Sequence, residues 1–143
     1  MNYTHFIGVD VSKNTLDYCT VENNQIVLQF QSENSNGGIK SFLKEIKAKG
    51  IDLKQVVFCA EHTGLYNNPL VYYLNAIGGN IWLESALHIK RSIGMQRGKN
   101  DKVDAYRIAM FAYKQREDLK LWQPPRQQIV LLKLLSAHRS CKI

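Results

Sequence analysis

No apolar run in this sequence approaches the length of a membrane-spanning helix, and no secretory h-region opens it. The expectation is a cytoplasmic protein with no membrane partner. Cysteine is scarce. Cys19, Cys59 and Cys141 are odd in number and lack zinc spacing, which excludes a disulfide scaffold and a zinc ribbon. Acidic residues are in the minority, 12 against 19 Lys and Arg, giving a net charge of +7 and a pI near 9.4. That balance favours a polyanionic partner, nucleic acid before membrane, although a basic surface with no partner has the same composition. There is no internal repeat and no low-complexity segment. What remains is 143 residues, 45% of them hydrophobic, enough for one domain with a real core.

The chain is organised around Phe6-Ile7-Gly8-Val9-Asp10. A buried strand, residues 4–11, runs straight into a carboxylate. Strands over 16–21 and 25–30 follow, joined by the polar turn Glu22-Asn23-Asn24, as an antiparallel meander. Ile39, Phe42, Leu43 and Ile46 fall at helical spacing, and Gly50 stops that helix after three lysines. Val56 to Ala60 is a second buried strand and runs into Glu61. A helix from Tyr66 to Ile77 follows, with Leu70, Val71, Leu74 and Ile77 as its stripe, then a short strand over 80–83. Ala86 to Ile93 reads as a short helix and Gly94 to Asn100 as a basic, Gly-containing loop. Asp101 is placed as the N-cap of a helix running to Lys114. The order β-β-β-α-β-α-β-α gives an α/β ribonuclease H-like fold, a mixed five-stranded sheet with helices on both faces. Right-handed crossovers put the Glu61 strand parallel to the Asp10 strand and beside it.

A carboxylate closing a buried strand is costly unless a cation meets it, so Asp10 is either a metal ligand or a well-paired structural acid. Glu61 on the neighbouring strand is within reach of the same ion, or caps the next turn. Asp101 and Asp104, three apart at a helix start, share a face, and a helix start favours negative charge in any case. If that helix packs near the strand ends, the acids converge as a two-metal phosphodiester site would require. Strand alternation turns Asp17 toward solvent, and Glu84 sits in an uninformative polar context. Lys13, Lys90, Arg91, Arg97 and Lys99 are the candidate phosphate contacts. The histidines show no ligand spacing.

Three blocks then resemble a known family: Gly8-Val9-Asp10-Val11-Ser12-Lys13, Glu61-His62-Thr63-Gly64-Leu65-Tyr66, and Lys99-Asn100-Asp101-Lys102-Val103-Asp104-Ala105. In this order they resemble the signature blocks of DEDD insertion-sequence transposases, RuvC-like at the N-terminus and related to the Piv invertase. The resemblance implies that Asp10, Glu61, Asp101 and Asp104 bind Mg²⁺, for which Mn²⁺ substitutes, and are catalytic. It implies DNA and an element-encoded guide RNA as partners, and oligomers acting on two duplexes. Thr63 and Tyr66 are expected to shape the site without doing chemistry. The family carries its serine nucleophile in a second domain that nothing here matches, so the chain is read as the N-terminal domain. Residues 1–121 are the RuvC-like domain; 122–143 hold an elbow and the start of a coiled-coil helix, apolar at 129–135, through which the chain self-associates.

Other readings stay open. A stand-alone RuvC-like junction nuclease would use water as nucleophile. A non-catalytic nucleic-acid binding module would use the charge and not the metal. An actin-like ATPase half opens with a similar Gly-x-Asp strand but needs a second such domain for its nucleotide pocket.

Overall fold

The computed structural model describes residues 3–93 and 104–123. Five strands and four helices follow one another: β1 (His5–Val11), β2 (Thr15–Glu22), β3 (Gln25–Glu33), α1 (Asn36–Ala48), β4 (Val56–Glu61), α2 (Asn68–Ala76), β5 (Asn80–Glu84), α3 (Ala86–Ile93) and α4 (Ala105–Lys114). The sheet order is β3-β2-β1-β4-β5. The first three strands pair antiparallel, while β1–β4 and β4–β5 pair parallel. This is the mixed five-stranded sheet expected from the sequence, with β4 beside β1. Asn23 and Asn24, both at positive φ (51° and 71°), close the β2–β3 hairpin.

Strand alternation divides the core in two. Ile7, Val9, Val11, Leu16 and Tyr18 meet Ile39, Phe42 and Ile46 of α1 and Leu70 and Leu74 of α2. Tyr18 stacks on Phe42 at 3.8 Å between ring centroids. On the other face Phe6, Cys19, Val57, Cys59 and Trp82 meet Ile89 of α3 and Ile108, Ala109, Phe111 and Ala112 of α4. A Cβ on Gly8 would lie 2.1 Å from the carbonyl oxygen of Ala105 and 2.3 Å from the nitrogen of Ala109. The helix therefore rests on bare strand backbone, two residues before Asp10.

Four local expectations are corrected. β3 runs on to Glu33, where it still pairs with Thr15. α2 begins at Asn68 after a 3-10 turn over Gly64–Asn67. Pro69 has no N–H to carry a helix on from Tyr66, but suits a helix start. Ile77 is the C-cap residue and is 42% exposed, so it lies outside the apolar stripe. The N-cap of α4 is Asp104, not Asp101: its Oδ1 accepts the backbone N–H of Arg107 at 2.9 Å. Asp101 lies outside the described residues, as does the expected coiled-coil helix. Trp122, where the elbow was expected, donates its N–H to the Ile81 carbonyl and sets its ring edge-on to Tyr72. No helix among the described residues is long and apolar enough to cross a membrane.

Candidate metal centre

Register places carboxylates in one row across the sheet. Phe6, Gly8 and Asp10 face α4, because alternate residues share a face. Asp10 pairs with Asp17 of β2, and Asp17 with Gln31 of β3. On the other side Val9 pairs with Ala60, so continuing that ladder by one residue sets Glu61 level with Asp10. Glu61 pairs with Glu84 of β5. The row reads Gln31, Asp17, Asp10, Glu61, Glu84, and each strand contributes one side chain. Asp10 and Glu61 were expected there. Asp17 and Glu84 were not: Asp17 is half-buried and turned toward α4, not toward solvent.

Asp104 approaches from the helix side. It lines a cleft of about 530 Å³ together with Asp10, Asp17, Gln29, Gln31 and Tyr106. The seat of α4 on Gly8 makes this possible, since Asp104 directly precedes Ala105. Glu61 is not in that lining. Among the described residues no three His, Cys, Asp or Glu side chains stand close enough to cage an ion. No Lys or Arg among them ion-pairs with Asp17, Glu61 or Asp104.

The loops below the row are tied by amides. Asn34 donates its side-chain N–H to the carbonyls of Ser12 (2.7 Å) and Tyr66 (3.0 Å), joining the turn after β1 to the turn after β4. Asn67 is 2% exposed. It accepts from the Thr63 backbone N–H at 2.6 Å and hydroxyl at 3.1 Å, and donates to the Glu61 carbonyl at 3.2 Å. Thr63 thus holds the turn behind Glu61. Tyr66 contributes its carbonyl, while its ring is exposed.

Glu84 is committed elsewhere. It accepts from Trp82 Nε1 (3.1 Å), the Ser85 N–H (3.3 Å) and His88 Nδ1 (2.9 Å). Burial alone would raise its pKa, but these donors hold the carboxyl below its usual range. A depressed folded-state pKa stabilises above the unfolded value and is lost as pH falls through the folded one. Thermal melts should therefore show the wild type losing stability as pH drops below 4.5, with a shallower decline in Glu84→Gln. Parallel declines would remove Glu84 from the acid response.

The donor chemistry fits a hard divalent cation. Burial pushes the Cys19 and Cys59 thiols up, with Asp104 and Glu84 adding to the effect, so neither offers a thiolate. Asp10, Glu61 and Asp104 offer carboxylate oxygens. Mg²⁺ typically takes one or two of these and completes its shell with water and phosphate oxygens, so an open site suits it and a closed cage is not required. Of the candidate phosphate contacts, Lys13 sits exposed in the β1–β2 turn, and Lys90 and Arg91 lie on α3. Arg97 and Lys99 lie outside the described residues.

Known proteins share both the fold and the sequence. RuvC of Thermus thermophilus, solved with a Holliday junction substrate, superposes with a TM-score of 0.58 at 12% identity, covering 84% of this chain and all of that one. A second Thermus thermophilus RuvC structure gives 0.57 at 11% identity, with 82% and 99% coverage. The fold is therefore that of RuvC. The pilin gene-inverting proteins of Moraxella lacunata and Moraxella bovis are 29% and 28% identical over 137 residues. This match takes in 94% of the chain and 41% of each relative, so the chain spans about two fifths of the length of these relatives. The transposase model of the DEDD, IS110 type matches residues 7–143. With the model covering nearly its whole length, the chain belongs to the IS110-type family of DEDD transposases.

Proposed function

We propose that this chain is the metal-dependent, DNA-processing part of a transposase that acts on phosphodiesters. One observation carries the reading: α4, seated on Gly8, brings Asp104 into the same cleft as Asp10. Asp10 and Asp104 are the primary ligands for Mg²⁺. Glu61 joins from the neighbouring strand and Asp101 from the segment before α4. Bound there, the ion would polarise a phosphodiester oxygen and offset its developing charge. Asp10 is positioned by its strand end, Asp104 by its helix cap, and Glu61 by the Asn67 clamp behind it. The attacking oxygen is assigned to no residue of this chain.

In the same reading, Lys13, Lys90 and Arg91, with Arg97 and Lys99, contact the phosphates of DNA and of a guide RNA. Residues 122–143 mediate self-association. The net charge of +7 supports a polyanionic partner.

Mn²⁺ titration followed by the free-ion EPR signal tests the metal reading, with and without a DNA oligonucleotide. Wild type should bind Mn²⁺, and Asp10→Asn should weaken binding by at least about tenfold, the smaller end of the loss seen even for groups behind metal ligands. No Mn²⁺ uptake in either condition, with DNA binding indifferent to chelator, would leave the non-catalytic binding module in front.

A further inference from the structure

Among the described residues, the α4 face of the sheet is not covered to its edge. α4 packs on β1, β2 and β4, while β3 carries Gln29 and Gln31 exposed on that side. Gln31 is anchored inward. Gln31 Nε2 donates to Asp17 Oδ1 at 2.7 Å, and Gln29 stands across the ladder from Cys19. Both glutamines border the cleft that holds Asp10 and Asp104. The Tyr106 side chain, 41% exposed, lines the same cleft from α4.

The chemistry of this strip is selective. Among the described residues, Asp10, Asp17 and Asp104 bring carboxylates to the cleft and no Lys or Arg lines it. Carboxylates offer a phosphate backbone no donor and meet it through a metal ion. Carboxamides that both donate and accept suit the polar edge of a base. An exposed aromatic ring suits its face. A duplex keeps its bases stacked and paired, so the group that fits is an unpaired base.

We propose that Gln29, Gln31 and Tyr106 form a nucleobase shelf, which seats an unpaired base of the DNA strand next to the phosphate held at Asp10 and Asp104. The shelf rests on the metal-dependent reading above and makes that reading sequence-sensitive at one position.

The test is fluorescence anisotropy of this chain with Mn²⁺ and a short labelled single-stranded DNA, in which one abasic residue is walked along the strand. One position should lose about five- to 150-fold in affinity, the equivalent of the 1–3 kcal/mol that a stacked base contributes. Tyr106→Leu keeps an exposed apolar side chain and removes the ring, so it should weaken binding of the intact strand and erase the abasic penalty. Gln29→Ala combined with Gln31→Ala should flatten base preference at that position. Equal affinity for every abasic strand, no DNA binding, a penalty that survives Tyr106→Leu, or an effect seen with RNA and absent with DNA would each overturn the shelf. Mn²⁺ uptake by the wild type is read separately, so loss of the metal centre and loss of the shelf are distinguishable.

Discussion

Gly8→Ala should destabilise the fold by about 3 kcal/mol or more and weaken Mn²⁺ binding with it. The obstacles to the new methyl are backbone atoms, the Ala105 carbonyl oxygen at 2.1 Å and the Ala109 nitrogen at 2.3 Å. No rotamer change relieves them, so α4 must lift or tilt. Overpacked cores typically cost 1–3 kcal/mol, and a clash against helix backbone belongs at or above the upper end. Against a typical total of about 5–15 kcal/mol, that loss should lower the melting temperature by about 10 °C. The ladder also turns the clash into a functional defect. The helix residue that blocks the methyl is adjacent to Asp104, and Asp10 lies two positions beyond Gly8, so lifting the helix parts the two carboxylates. Gly37→Ala is the control. A Cβ there meets nothing nearer than the Ser35 hydroxyl at 4.0 Å, and within α1 the change should be neutral or slightly stabilising. A Gly8→Ala melting temperature within a couple of degrees of wild type would show that α4 does not sit on the strand as described.

What could be seen in advance follows from which signals are local. Asp10 and Glu61 stood out because each ends a run of buried residues, a pattern complete within six residues. The strand order followed from a short-turned meander and right-handed crossovers, both local rules with few exceptions. Asp17 and Glu84 were invisible for the opposite reason. Each looks like a surface acid until it is paired, Asp17 with Asp10 and Glu84 with Glu61, and register is a property of two strands. The close approach at Gly8 was equally hidden, since a glycine inside an apolar strand does not name the element that lands on it. The cap of α4 was an ambiguous choice. Asp101 and Asp104 are both acids ahead of an apolar periodicity, and the helix starts at the second because Ala105, Ile108, Ala109 and Ala112 already make its buried face. Pro69 was in plain view and its consequence for the start of α2 was legible.

Asp104 carries two roles that one pair of substitutions should separate. As N-cap it accepts the Arg107 N–H at 2.9 Å, and its charge lies at the positive end of the helix dipole. Asn caps about as well as Asp, so Asp104→Asn keeps the hydrogen bond and forgoes only the charge–dipole part, about 0.3–1 kcal/mol. Asp104→Ala loses both and should cost about 1 kcal/mol more. Metal binding ranks the two variants differently. A neutral carboxamide is a poor substitute for a carboxylate facing a divalent ion, so Asn and Ala should lose Mn²⁺ affinity alike, by at least about tenfold. Under the metal-dependent reading, DNA cleavage should fall about 100-fold or more in both, because several kcal/mol of transition-state charge stabilisation would depend on the ion. The diagnostic protein is therefore Asp104→Asn, near wild type in its thermal melt and deficient in metal uptake. If it instead melts like wild type and takes up Mn²⁺ like wild type, Asp104 is a helix cap alone. The metal reading would then have to stand on Asp10 and Glu61.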